Sequence, residues 1–444
     1  MQEGKQPISP LGAPPPRGYF PSEITTGLIR MRLAPSVILL PGLLLAPVRP
    51  LPAQGATPPP VTCSRTSGLL LPNGFCAIVV AERVGRVRQL VVLPNGDVAA
   101  ALAGGPGAVA LLRDSDGDGV ADQRKYFGDE GGTGIRYRDG YLWFAPNSRI
   151  IRWRWTLGDL TPRAEAETVV DGLPTGGHAA KGFALLGGDT LVVNFGSETN
   201  SCQFNDRSTR SPGQDPCTEL EERAGLWRFA ASRLHQRRKD GVRFATGLRN
   251  SLALAVQPET GKLFVAPHGR DQLGQNWGFS DAQSAELPAE EFVQVEPGDD
   301  VGWPYCYFDW QQGRKVLSPE YGGDGTKIGR CADKKLPLIG FPGHWAPMAI
   351  AFYDGAQFPA RFRGGAFIAF HGSWNRAPLP QQGYRVVFVP FGADHKPTGQ
   401  YETFATSAQG ETRLRPAGVA VGPDGSLYIG DEASGTIWRV MAQP

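Results

Sequence analysis

The sequence predicts an all-β fold, a six-bladed β-propeller with disulfide-stapled loop insertions, and three observations carry that expectation. No 12-residue stretch has a 3.6-residue apolar period, whereas a strand, turn, strand unit recurs six times. The turn glycines Gly96, Gly140, Gly188, Gly261, Gly365 and Gly425 lie 44, 48, 73, 104 and 60 residues apart, and a spacing of ~40–50 residues with four strands each is one propeller blade. Gly 58 and Pro 39 among 444 residues make turns frequent and long helices costly. A pair of β-sandwiches is the alternative architecture.

The elements follow in chain order. Residues 1–30 mix Pro, Gly and charge without a period and read as a non-native or disordered extension. Residues 31–56 open with Met31-Arg-Leu and continue into an apolar run of about 12 residues, the length of a signal-peptide core and short of the ~20 that span a bilayer. Export to the periplasm or medium is therefore expected, with no stable membrane span. Residues 57–71, rich in Pro, read as a linker, and 72–444 as the propeller.

Six cysteines fall as neighbours in sequence, Cys63 with Cys76, Cys202 with Cys217 and Cys306 with Cys331. Six cysteines allow 15 pairings, proximity alone favours this one, and unpaired buried thiols are the alternative. No C-x-x-C or zinc-type His spacing is present. The clearest repeats are LVVLPNGDVA at 90–99, LAVQPETGKLFV at 254–265 and VAVGPDGSLYIGD at 419–431; weaker copies start at Ile135, Phe183 and Phe362. Second strand pairs follow at 225–229, 383–390 and 435–440, which makes four strands per unit. The two longest intervals hold Cys202/Cys217 and Cys306/Cys331 and are read as insertions on one face.

In a propeller the first strand of every blade lines the axis, so residues just ahead of it converge on one mouth. Counting back from the turn glycines, His178 stands at ten, Arg249 and Asn250 at twelve and eleven, Arg415 at ten with Arg413 two further, and Arg88 and Gln89 at eight and seven. Clustered guanidiniums suit a ligand rich in carboxylate or phosphate, because their planar forks bind such groups bidentately. Taken singly, each Arg also suits a surface ion pair and His178 a structural role; convergence at matched offsets favours the site.

Asp114, Asp116, Asp118 and Asp122 alternate with glycines, a pattern suited to a hard cation such as calcium, although Lys125 in place of the twelfth-position Glu excludes an EF-hand. A solvated acidic turn is the other reading. Lys plus Arg 45 against Asp plus Glu 43, net +2, leaves no electrostatic footprint for nucleic acid. No G-x-G-x-x-G between a strand and a helix, no G-x-S-x-G and no Walker sequence occurs, so nicotinamide, serine-hydrolase and nucleotidase chemistries lack their parts.

Four segments, TGLRNSLALA from Thr246, HGRDQLG from His268, EFVQVEPGDDVGWPYC from Glu291 and RPAGVAVGPDG from Arg415, resemble in order the soluble quinoprotein sugar dehydrogenases, in particular the L-sorbosone and pyranose dehydrogenases. The resemblance runs from about Pro72 to Val440. It implies a six-bladed propeller that holds pyrroloquinoline quinone (PQQ) and calcium at the channel mouth, a tricarboxylate that an arginine-ringed opening would suit. It further implies that His178 is the general base, taking a proton from the substrate hydroxyl as hydride passes to the quinone C5. By the same resemblance Arg249 and Asn250 contact the cofactor, Arg413 and Arg415 face its carboxylates, and the Gly269 and Arg270 backbone carbonyls hold calcium. Lys181, where the sorbosone-like branch usually has Arg, and Gln89 complete the candidate cofactor set. Gly177 stands where some relatives have a carboxylate, and the cofactor-contacting Lys of the glucose-oxidising branch has no match, with Ser373 and Arg376 nearby. The expected partners are a sugar or sugar aldehyde and an external electron acceptor, a cytochrome or a quinone. A calcium-dependent lactonase-type propeller and a non-catalytic binding propeller are the competing readings; the first would line its channel with Asp, Asn and Glu.

Overall fold

The computed structural model describes Cys63 and residues 67–407 and 414–443. Residues 1–30, read as an extension, residues 31–56, read as a signal, most of the segment read as a linker and Arg413 lie outside the described residues. Six sheets of at least four strands, antiparallel except where Gln236–Arg237 adds in parallel to Glu167–Asp171 at the edge of blade 2, form six blades, with the inner strands Val87–Val92, Gly132–Arg138, Phe183–Leu186, Ala253–Val256, Pro347–Phe352 and Pro416–Val421. Among the described residues, no helix is long and apolar enough to cross a membrane.

The strands lack a clean in–out alternation because both faces of each blade are covered. Six hydrophobic clusters each draw on two neighbouring blades. Ala99, Val109 and Leu111 of blade 1, for example, meet Ile135, Phe144 and Trp153 of blade 2, and Val80 and Ile437 of blade 6 meet Val87 and Leu90 of blade 1. Each blade thus buries one face against each neighbour, and closing the ring covers the two faces that an open array would leave exposed. Closure comes from pairing the N-terminal strand Phe75–Ala81 with the C-terminal strand Ile437–Ala442, and the Cys63–Cys76 disulfide fastens that strand. The segment read as a linker already belongs to the propeller at its end, since Leu69–Leu70 pairs with Thr406 and Ser407 at the edge of blade 5.

Five of the six turn glycines sit at positive φ in the hairpin after an inner strand, Gly96 at 90° and Gly425 at 82° among them. In blade 5 the left-handed position belongs to Gly364 at 73°, one residue before Gly365. All three neighbour pairings of the cysteines are disulfides. The Cys202–Cys217 insertion joins the second and third strands of blade 3. The Cys306–Cys331 insertion, with its hairpin Cys306–Asp309/Arg314–Leu317, follows the third strand of blade 4. The two insertions pack on each other through Arg330–Asp215 at 2.6 Å and Cys217 N–H to Tyr305 Oη at 2.8 Å.

Candidate functional site

The loops entering inner strands and those leaving second strands meet at one mouth, around a cleft of about 410 Å³, within the range of small-ligand sites. Its walls bring together His178, Arg249, Gly269 and Arg415 with residues that offset counting did not reveal, notably His268, Asp271, Glu290, His344, His371 and Asn375. A larger hollow of about 670 Å³ at the outer edge of blades 1 and 2 contains none of the sequence-derived candidates.

His178 ends a Gly176-Gly177 turn, with Gly177 at φ +49° and its Cα so close to residue 198 that a Cβ would stand 2.4 Å from Glu198 O. The imidazole Nδ1 lies 2.9 Å from Ser197 O and 3.0 Å from Ser197 Oγ, while that hydroxyl donates its own hydrogen to Thr199 O at 2.7 Å. Both partners of Nδ1 are therefore acceptors, so Nδ1 carries the proton and Nε2 presents a lone pair. Burial, then the charge of Arg249, pushes the imidazole down to about 3, so it is neutral at ordinary pH.

The other histidines differ in what they leave open. His268 is used on both sides, Nε2 donating to Pro347 O at 2.7 Å and Nδ1 facing Asn250 Nδ2 at 3.4 Å. His344 donates Nε2–H to Ser284 O at 2.8 Å. His371 has Nδ1 2.9 Å from Glu432 Oε2, and among the described residues its Nε2, like that of His178, has no protein partner. Burial works to raise the Glu432 carboxyl, but the hydrogen bond from His371 and the charge of Arg88 outweigh it and hold the group below the carboxylate range.

Arg249 is 5% exposed and donates to Asn200 O at 3.1 Å, Gly269 O at 2.8 Å, Asn200 Oδ1 at 3.1 Å and Asp271 Oδ2 at 3.0 Å. One of its five N–H groups remains for a ligand; its main work is to fix the Gly269 carbonyl and Asp271. Arg415, 37% exposed at its side chain and 4.0 Å from Glu432, is the cation more open to the cleft. Asn250 lies just beneath, against His268. On the acidic side, Asp271 accepts from Arg249, Arg207 and Asn375. Burial pushes Glu290 up to about 7 despite hydrogen bonds from Gly269 N and Ala346 N.

Asn250, Gln89, Lys181, Arg270 and the four aspartates do not line the cleft. Gln89, 1% exposed, spans the axis below it: Nε2 donates to Leu252 O and Met348 O at 2.8 and 2.9 Å and Oε1 accepts from Arg136 at 2.8 Å, tying blades 1, 2, 4 and 5. Lys181, 0% exposed, points its ammonium at Pro174 O and Ala179 O; burial and Arg223 push it down to about 7. Arg270 is turned away, its side chain paired with Glu320 at 2.8 Å behind the cleft floor. The acidic loop lies on the hairpin between the third and fourth strands of blade 1. Ligand oxygens of Asp114, Asp116 and Asp122 there fall within 4.8 Å of one another, and Asp118 caps Val120 N instead.

The donors suit an anion and a cation side by side. Arg415 offers N–H groups to a carboxylate, and Asp271, Glu290 and the Gly269 carbonyl offer oxygen to a hard cation. Asn375, on the cleft wall, also holds a buried Oδ1 with no donor among the described residues.

Fold and cleft together define a β-propeller with a histidine- and arginine-ringed ligand site at one end of its axis. The chain belongs to the TrAA12-like family, whose sequence profile matches residues 69–443. Among solved structures, the calcium structure of a Trichoderma reesei carbohydrate-active enzyme of family AA12 has a TM-score of 0.71 at 18% identity, covering 87% of this chain and 100% of that one. The holo form of the pyranose dehydrogenase PQQ domain from Coprinopsis cinerea has a TM-score of 0.69 at 19% identity, covering 87% and 99%. At such identities the likeness is one of fold. By sequence, a PQQ-dependent pyranose dehydrogenase of Coprinopsis cinerea is 28% identical over 170 residues, 31% of this chain and 22% of that protein. A Borreliella burgdorferi protein described only as uncharacterized is 28% identical over 202 residues, 44% of this chain and 48% of that one. The aligned stretches thus span about half and about a fifth of those relatives' lengths.

Proposed function

We propose that this chain is an exported PQQ-dependent oxidoreductase that dehydrogenates a sugar or sugar aldehyde, with His178 as general base and an external cytochrome or quinone as final electron acceptor. The observation that carries the reading is the His178 geometry, a neutral imidazole locked with its proton on Nδ1 and its Nε2 lone pair available in a cleft that also offers Arg415 and Arg249. When bound, PQQ would supply a two-electron acceptor and calcium a positive charge beside it. Arg415 and the remaining N–H of Arg249 would hold the cofactor's carboxylates, with Asn250 and, outside the described residues, Arg413 in support. The Gly269 and Arg270 carbonyls would hold the ion. His178 Nε2 takes the proton of the substrate hydroxyl, and the Ser197 carbonyl stabilises the resulting imidazolium through Nδ1–H. In this reading Lys181 acts on the protein's own backbone, and Gln89 on backbone carbonyls and the Arg136 side chain. Asp114, Asp116 and Asp122 form a second calcium loop with a structural role.

The test is dye reduction by protein reconstituted with PQQ and calcium and given an aldose. A lactonase or a binding propeller reduces no dye. His178→Ala is expected to lower turnover by ~10² to 10⁴ with PQQ still bound, whereas Arg415→Ala weakens PQQ binding first. His371→Ala is the control, because its Nε2 is a second imidazole nitrogen of the cleft wall with no hydrogen-bond partner among the described residues. Near-normal turnover of His178→Ala at saturating PQQ and calcium would return His178 to a structural role.

A further inference from the structure

We propose that Lys181 and Arg223 are positioning residues for His178, two cations from different elements that grip the backbone carbonyls of the loop carrying it. Lys181 stands two residues ahead of the inner strand of blade 3 and, among the described residues, has no carboxylate partner; its ammonium donates to Pro174 O at 2.7 Å and to Ala179 O. Arg223 closes the Cys202–Cys217 insertion. It donates to Thr175 O at 2.6 Å and reaches Gly176 O and Gly196 O at 3.4 Å, with Glu198 Oε2 at 2.6 Å balancing its charge. Five carbonyl oxygens, from the 174–179 loop and from Gly196 beside Ser197, are thereby held by two side chains.

A lysine buried without a counter-ion is costly, and here its donors go to two carbonyls five residues apart, one on each side of His178. The loop needs such tethers because Gly176 and Gly177, at φ +81° and +49°, contribute no side chain to pack. Its spacing from residue 197 sets the imidazole, since both the backbone N–H and Nδ1 of His178 meet Ser197 O, each at 2.9 Å. The insertion reinforces the same spot through Glu219, which accepts from Glu198 N at 2.7 Å and Thr199 N at 3.2 Å. The cations therefore act through the loop on the direction in which Nε2 points.

The kinetic arm of the test rests on the proposed role of His178; the spectroscopic arm does not. In ¹⁵N-histidine-labelled protein without cofactor, wild-type His178 is expected as a single Nδ1–H tautomer. Lys181→Met and Arg223→Gln should each give a mixture of tautomers, with Arg223→Lys restoring most of the wild-type pattern. In reconstituted protein the same variants should lower kcat by about 10- to 100-fold, as misplacing a catalytic group does, with KM and PQQ affinity nearly unchanged. Altered tautomers with normal turnover would keep the clamp and remove His178 from the chemistry. An unchanged ¹⁵N pattern in folded variants would overturn the clamp, as would a loss confined to PQQ affinity, which would make Lys181 a cofactor ligand. Should Lys181→Met fail to fold, Arg223→Gln, at a partly exposed side chain, carries the test.

Discussion

Replacing Glu320 with Ala is expected to destabilise the protein and, with it, the cleft floor. Glu320 and Arg270 pair at 2.8 Å with side-chain exposures of 0% and 3%. Glu320 Oε1 also accepts from Ser201 Oγ at 2.9 Å and Trp277 Nε1 at 2.8 Å. One carboxylate from the second insertion thus ties the first insertion, a short helix and the residue that follows Gly269. Removing one partner of a buried pair leaves the other charge unpaired, at a cost of about 3–5 kcal/mol. With an unfolding entropy of roughly 2.1 cal/mol/K per residue over a propeller of this size, that is a fall of about 5 °C in Tm. The assay is a thermal melt of Glu320→Ala, Arg270→Met and the double variant Arg270→Met/Glu320→Met. Both single changes should be costly and the double one milder than their sum, because the double variant buries no lone charge. On the proposed calcium site, affinity for the ion should fall in each single variant as well, since the backbone at Arg270 loses the anchor of its side chain. A Glu320→Ala melt within about 1 °C of wild type would refute the reasoning, and so would strict additivity.

Three further outcomes follow. Calcium and PQQ should bind interdependently: chelation should release PQQ and lower Tm by linkage, and PQQ that stays bound with unchanged affinity after calcium is removed would separate the two sites. Non-reducing peptide mapping should recover Cys202 joined to Cys217 and Cys306 to Cys331; free thiols at those four positions would contradict both the stapled insertions and export. His178 should make cofactor-free protein less stable in mild acid. Its folded pKa, pushed down to about 3, lies below the unfolded value of ~6.5. The unfolded chain therefore binds a proton that the native state refuses, and stability present above ~6.5 is lost as pH falls toward 3. The Tm gap between wild type and His178→Gln should shift against wild type between pH 7 and 5, and a pH-independent gap would argue that the imidazole is not desolvated.

The propeller was legible because its repeat is written in backbone chemistry. A hairpin that needs a left-handed residue selects glycine, and five of the six counted glycines occupy that conformation. Blade 5 blurred the count: 353–365 separate its inner strand Pro347–Phe352 from the second strand, so the residues ahead of that strand, His344 and Ala346, fell outside the matched offsets. The site was half legible for a related reason. Offsets counted back from a hairpin find only loops that enter inner strands, and these supply His178, Arg249 and Arg415. His268, Asp271, His371 and Asn375 come from loops that leave second strands, where insertions of unequal length erase any common register. Depth was lost as well. Gln89 is the third residue of its strand, and at ~3.3 Å per residue a side chain two positions further in sits about 7 Å deeper, across the axis rather than at the mouth. The entering loops thus carry the part of the site that the repeat can specify, while the leaving loops add groups free to vary from blade to blade. Changes in what the cleft accepts should accordingly map to 267–289 and 371–384, and changes in whether it can move a proton at all to the short turn at His178.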